Sequence, residues 1–267
     1  MSEWSGICRA NKKAWGECYW TISDSPAPAE IVLVNEQGEC LRRFGVLSSG
    51  GGMMKNHDWE EISTDDAGHL WIIDNMRNAG GKHVAMRCNE PMEPGQMVKL
   101  DRWIDFREEQ DVEAAFAMGD GFFFIPKRKL PSVWEILIPR TDDTQAVYRL
   151  PHEPVEKAND FVVPVLCERL PLTGVATAAD YISADMMSDK VQRRVDRLGW
   201  QPLGLILVHC YLNTYIVEVA LGRPWRTMRL GRRPMWFGQT EGACFTHGGE
   251  GVLIQNEAGD YKRVEWV

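Results

Sequence analysis

No apolar run in this chain approaches the roughly 18 residues of a membrane-spanning helix, and the start, MSEWSGICRANKK, carries no apolar segment of the secretion-signal type. The expectation is a cytoplasmic protein, or a virion component if phage-encoded, with no membrane partner. Basic charge is also short. Thirty Lys and Arg against 38 Asp and Glu leave a net charge of −8, which argues against nucleic acid as a general partner because phosphate binding needs a basic face. The local run Arg223, Arg226, Arg229, Arg232 and Arg233 is either an anion patch or a solvated surface. Seven cysteines, an odd number with no CxxC pair, exclude a zinc site and a disulfide framework, and read as reduced thiols in apolar runs. Catalytic signatures are missing too. There is no HExxH and no GxSxG, and SSGGGMMKN (48–56) lacks the Lys-Ser/Thr ending of a phosphate loop, so it reads as a connector.

What the chain does have is a diffuse internal repeat. DWEEIS (58–63) aligns with DVEAAF (111–116) and QTEGAC (239–244), and more weakly with EWSGIC (3–8) and AADYIS (178–183). The third position then holds Glu60, Glu113, Glu241, Ser5 and Asp180, an acid in four cases of five. A second apolar run follows each copy: CYWTISD, LWIIDN, FFFIPK, LILVHCY and VLIQNE. Turn signals such as DDAG, MGDG and HGGEG separate the two runs in three of the units. Third runs follow in every unit, including WEILIPRT (134–141), and fourth runs in four of them. Four short strands per unit of roughly 50 residues is the pattern of a β-propeller blade. The fold expected is therefore all-β, a single five-bladed β-propeller over 1–267, with one short helical insert. Its blades lie near 3–48, 57–103, 110–151, 172–230 and 238–267. Six blades stay open if ANDFVVPVLCERLPL (158–172) forms an irregular unit of its own. The insert is expected at 184–201, a helix of about 12 residues with Met187, Val191, Val195 and Leu198 on one face, over the propeller mouth.

These motifs resemble a group of largely uncharacterised, mostly bacterial β-propeller proteins. In that group blades carry Ser-Gly-Leu, Asn-Asp-Ser, Asp-Trp-Glu-Asp-Ile-Ala and Gly-Asp-Asn followed by Arg. Here WSGIC, TISDSP, DWEEIS and IIDNMRN are similar, with Ser23 in place of Asn and Lys82 in place of Arg. Further along, DVEAAF…FIPKRK, LTGVATAADYIS with LVHCY, and QTEGACFTHGGEGVLIQNEAG extend the likeness over nearly the whole chain. The resemblance implies the propeller fold and little biochemistry. More distantly related propellers of the lactonase and phytase type hold divalent metal in the central channel, which is an analogy of fold.

In a propeller the recurring acids Glu60, Glu113, Asp180 and Glu241, completed by Ser5, would stand at one depth around the axis. Carboxylates that close must take up a cation, share protons or accept hydrogen bonds. Oxygen ligands from several blades suit Ca²⁺ or Mg²⁺. Alternatively the ends of the second runs, Lys127, Tyr211 and Asn75, with Asp74 nearby, tie the acids into a structural network, or the acids cap neighbouring backbone amides. His57, beside the acidic pair, is a candidate base or ligand. Two functions follow. One is a rigid module that binds a protein, a glycan or its own copies. The other is a metal-dependent hydrolase of a lactone or phosphoester, in which Glu60, His57 or Glu241 activates water.

Overall fold

A computed structural model of the protein describes residues 3–24, 27–76, 82–119, 121–127, 144–151, 157–158, 161–211, 213–232 and 239–267. Among these the chain is all-β, a succession of antiparallel meanders. The first contains β1 (Trp4–Arg9), β2 (Tyr19–Ser23), β3 (Glu30–Val34) and β4 (Cys40–Leu47), and the second β5 (Trp59–Thr64), β6 (His69–Asp74), β7 (Lys82–Asn89) and β8 (Val98–Arg107). A short parallel contact, Val46 with Val98 and Leu47 with Lys99, joins their outer strands into one sheet. The third contains β9 (Val112–Met118), β10 (Gly121–Pro126) and β11 (Gln145–Leu150). The chain then forms the short strands β12 (Lys157–Ala158) and β13 (Phe161–Val162) before β14 (Val165–Leu170) returns to complete the third sheet. The fourth sheet is β15 (Ala176–Ser183), β16 (Gly204–Cys210), β17 (Asn213–Val219) and β18 (Arg226–Arg232). The fifth has three strands, β19 (Thr240–Phe245), β20 (Gly251–Asn256) and β21 (Tyr261–Glu265).

The first strands of the five meanders pack in cyclic order: β1 on β5, β5 on β9, β9 on β15, β15 on β19, and β19 back on β1. The core follows the same plan. Each apolar cluster is a wedge between two successive meanders. Trp20, Phe44, Trp59 and Leu70 lie between first and second, and Trp71, Phe106, Phe122 and Phe124 between second and third. Phe116, Phe123, Ile206 and Val208 lie between third and fourth, and Ile182, Leu205, Phe245 and Ile254 between fourth and fifth. Ile7, Tyr19, Cys244 and Leu253 close the seam between fifth and first. Inner strands such as β9 and β16 are therefore covered on both faces, and their sequences read as largely apolar runs interrupted only by Glu113 and His209. The outer strand β8 keeps mostly the alternation of a half-exposed strand, with Val98, Leu100, Ile104 and Phe106 inward.

The third meander departs from the sequence pattern. WEILIPRT (134–141) lies outside the described residues. The run QAVYRLP forms the third strand instead of the fourth, and the segment set aside as an irregular unit supplies the outer strand β14. The helical insert is present but shorter than expected, nine residues (Asp189–Arg197). Ser188 caps it through Oγ, which accepts the Val191 N–H at 3.3 Å, and Gly199 ends it in the left-handed region at φ 66°. Val191 and Val195 are buried against Phe245 and Ile254, while Met187 and Leu198 are only partly buried, so the helix caps the fourth and fifth sheets.

The wedge arrangement makes large aromatics at a sheet–sheet contact decisive. Phe124 is fully buried, with its ring 5.0 Å from Phe106 of the second meander and 5.5 Å from Tyr148. Phe124→Ala is expected to lower stability by about 3–5 kcal/mol, read as a lower urea midpoint with an unchanged slope.

Candidate functional site

All five first strands carry a β-bulge at the same place. The extra residue is Gly6 in β1, Glu60 in β5, Glu113 in β9, Thr177 in β15 and Glu241 in β19. A bulge turns one side chain out of the strand's alternation, so the bulged acids are re-aimed together towards the end of the ring where the first strands begin. The bulge also corrects the repeat alignment. The equivalent of Glu60 is Gly6 and not Ser5 in the first unit, and Thr177 and not Asp180 in the fourth. The five-position ring therefore contains three acids, a glycine and a threonine. Glycine at position 6 is required: φ is +58°, and a Cβ there would stand 2.6 Å from the Ile62 backbone nitrogen.

At this end burial raises the Glu60, Glu113 and Glu241 carboxyls above the usual range; repulsion from Glu113 adds to the rise at Glu60 and Glu241, while Lys127 works against it at Glu113. Glu241 is pushed up to about 8, by burial first and then by Glu113. Glu113 is held by an ion pair from Lys127 Nζ. Burial works against the Lys127 charge, and Glu113 more than offsets it, leaving that ammonium with a raised pKa. Lys127 also bonds Tyr211, whose phenol burial and the two glutamates push up to about 12. Two acids missing from the sequence expectation join them. One oxygen each of Asp24, Asp58 and Glu60 lies within 4.8 Å of the others, and burial and Asp24 raise Asp58 to about 6. Glu113 Oε2 and Glu241 Oε1 are buried, in side chains with residue exposures of 6% and 7%, and have no hydrogen-bond partner among the described residues.

Deeper along the axis the groups are architectural. Glu61 Oε2 accepts the Ala179 N–H of the fourth meander at 3.2 Å and Oε1 accepts the Ile62 N–H at 3.0 Å. Asp180 lies three residues past its bulge. Its Oδ2 accepts Arg9 Nη1–H at 2.6 Å and the Phe245 N–H at 2.9 Å. Ser63, equally far past its own bulge, accepts the Ala117 N–H of the next meander at 2.9 Å, so the fourth-to-fifth contact repeats the second-to-third. The adjacent pair Glu60 and Glu61 thus divides: one acid faces the acidic end and its neighbour crosses the axis.

The remaining expected residues sit at turns. Asp74 Oδ1 accepts the Met76 N–H at 2.7 Å, and Oδ2 lies 3.4 Å from His57 Nδ1. Among the described residues the Asn75 side chain bonds none of the acids: its Oδ1 meets His83 Nδ1 at 2.7 Å and the Val112 N–H at 3.2 Å, linking second and third meanders. Asp24 is the last residue of TISD, two residues past Ile22, the position equivalent to Asp74 in the strand register. Arg9, a single cation closing an apolar run, gave no signal of its partner 171 residues away.

No family model matches the chain, and no curated protein matches it. Among solved structures, hydrazine synthase from Kuenenia stuttgartiensis is similar with a TM-score of 0.47 at 9% identity, over 97% of this chain and 70% of that one.

Two outcomes are expected. Carboxyls with raised pKa bind more protons folded than unfolded, so stability falls as pH rises from the ordinary value of 4.5 through about 8, the Glu241 value. Thermal melts without divalent cation should give a higher midpoint at pH 6 than at pH 8, and Glu241→Gln should flatten that difference. Arg9→Met leaves the Asp180 carboxyl buried without its cation, and should cost about 3–5 kcal/mol by chemical denaturation.

Proposed function

We propose that the chain is a five-bladed β-propeller whose acidic end holds a hard divalent cation, and that it is a cation-dependent hydrolase of a phosphoester or lactone. The propeller reading rests on the five meanders, the cyclic packing of their first strands and the five intervening core wedges. The cation reading rests on one observation: bulged glutamates of three strands converge beside the Asp24–Asp58–Glu60 group and keep two buried carboxylate oxygens without partners. The donor set is all oxygen, which suits Ca²⁺ or Mg²⁺. Asp24, Asp58 and Glu60 are the proposed ligands, with Glu113 and Glu241 facing them, and Asp180 drops out of the set because it belongs to the axis.

When bound, such a cation polarises a substrate oxygen and acidifies water. The chain's own part is positional. Lys127, 29% exposed in its side chain, fixes Glu113 and presents N–H groups to an anionic oxygen. Tyr211 steadies Lys127 from the other side. His57, with 39% of its side chain exposed next to buried Asp74, lies on the rim as the candidate proton acceptor.

A second reading has its own support. The outer strand β14 exposes Val165 and Leu166 at 53% and 47%, beside exposed Cys167, a surface that suits a rigid module binding a protein, a glycan or its own copies.

The test is a thermal melt of dialysed protein with Ca²⁺ or Mg²⁺ added, alongside hydrolysis of p-nitrophenyl phosphate and a small lactone. A cation at about 100 times its Kd should add about 2.7 kcal/mol of stability. Glu60→Gln should weaken that response and abolish turnover, whereas Asp180→Asn should lower the baseline stability and keep the cation-induced shift. A folded protein that shows no response to either cation would remove the hydrolase reading and leave the binding module.

A further inference from the structure

The chain is acidic as a whole but not throughout. Residues 184–232, the insert and the last three strands of the fourth meander, hold eight of its 30 Lys and Arg and four of its 38 Asp and Glu. This stretch is net positive in a chain of net charge −8. The basic run that begins at Arg223 is thus one half of a larger patch, and the insert helix is the other.

Folding brings the two halves to one end of the fourth sheet. Ser183 pairs with Gly204 and Gly204 with Val219, so the helix, the turn 199–203 and the turn 220–225 all stand where β15 finishes. Buried Glu218 ties the turns together: it accepts the Gln201 N–H at 2.7 Å and Arg223 Nη2–H at 2.6 Å, and Arg226 donates to the Gly199 carbonyl at 2.9 Å. That carboxylate is therefore spent inside the patch. Arg193, Arg194 and Arg197 of the helix are exposed and have no ion-pair partner among the described residues. Arg223 and Arg229 bring the exposed arginines of the segment to five, against the exposed acids Asp185, Asp189 and Asp196.

Apolar side chains stand at the same end. Leu221, 80% exposed, is the most exposed large hydrophobic residue among those described, at a turn tip just before Gly222 (φ 70°). Leu203, 49% exposed, lies across from that turn, its N–H donated to the Val219 carbonyl at 2.9 Å. One exposed leucine is ordinary. Two on neighbouring turns, in a segment with an excess of free guanidinium groups, fit a surface that offers anionic phosphate and hydrocarbon together. Arginine forks onto phosphate oxygens, and leucine enters the acyl boundary of a bilayer. A nucleic acid has the phosphates but no place for the leucines, and a polar acidic protein surface lacks one too. The helix itself does not insert, because Val191 and Val195 are buried against Phe245 and Ile254; it presents charge while the turns carry the apolar anchors. The negative charge elsewhere on the molecule opposes contact weakly, since exposed charges beyond a Debye length of about 8 Å are screened at physiological salt. The absence of a long apolar run bears on spanning a bilayer and not on lying against one.

We infer that this end of the fourth meander is a docking surface for a membrane leaflet rich in anionic phospholipid, with Arg193, Arg194, Arg197 and Arg223 at the phosphates and Leu203 and Leu221 in the acyl boundary. The surface is separate from the acidic end and stands or falls independently of a cation there.

Co-sedimentation of the full chain with vesicles tests this, one set of mixed phosphatidylserine and phosphatidylcholine and one of phosphatidylcholine alone. A chelator is present throughout, so that no divalent cation bridges the acidic end to lipid. Binding to the mixed vesicles is expected, weakened by high salt, with none to phosphatidylcholine. Arg194→Gln and Arg197→Gln should each lower partitioning about fivefold, and Leu221→Ser about tenfold. All three positions are exposed or at a turn tip, and the thermal midpoints should stay close to the parent's. Arg42→Gln, at an exposed position of β4, should leave binding unchanged. No sedimentation with the mixed vesicles, equal binding to phosphatidylcholine, full binding by the Arg194, Arg197 and Leu221 variants, or an equal loss in Arg42→Gln overturns the inference. Binding of poly-L-glutamate or of duplex DNA in place of the vesicles overturns it as well, by assigning the patch to an acidic protein or to nucleic acid.

Discussion

The Arg9 guanidinium sits where the first, fourth and fifth meanders meet, and it is the group on which the closure of the ring depends. It neutralises Asp180, whose same oxygen also takes the Phe245 amide proton, and it takes up the Tyr181 carbonyl. A buried ion pair is a weak source of net stability, because removing both charges from water costs nearly what their attraction returns. What such a pair supplies is geometry. Only one relative placement of three sheets satisfies all of these bonds together, and Glu61, reaching from the second meander to the fourth, adds a second tie across the same axis.

The acidic end shows the opposite balance. Its carboxyls are buried in one another's field with one lysine among them, and nothing in the packing of the five sheets needs that repulsion. Sites that carry such an electrostatic cost without a packing return are where function is sought. The bulges reinforce the point, since they aim the acids while leaving each strand able to pair on either side of the interruption.

The sequence made the repeating strands legible for a physical reason. Inner strands covered on both faces become apolar runs of five to eight residues, and HLWIID, GFFFIP and GLILVHC stand out against their turns. The helix was legible from Val191 and Val195, one turn apart. The bulges were not. A bulge has no compositional signature, so Thr177 was passed over, and AADYIS was aligned three residues out of register. That shift placed Asp180 among the mouth acids. Contacts such as Arg9 with Asp180, or Glu61 with Ala179, join positions over a hundred residues apart and leave no trace in local pattern. The outer strand of the third meander was misassigned for a related cause: VLCERL is mostly exposed, and its apolar residues do not report a buried face.

Among the described residues, the seam between the fifth and first meanders is made without an exchanged strand. Among the described residues the last sheet keeps three strands of its own. It meets the first through side chains and isolated bonds: the Trp4 N–H to the Glu257 carbonyl, Thr21 to Gln255, and Arg263 to Glu36. The chain must therefore bring together segments more than two hundred residues apart before the circle is complete, a high contact order that slows folding. The seam wedge is also the smallest of the five, and its two sides have no continuous ladder to hold them. Transient opening of the native state should start there, with backbone amides of β1 and β19 exchanging in concert.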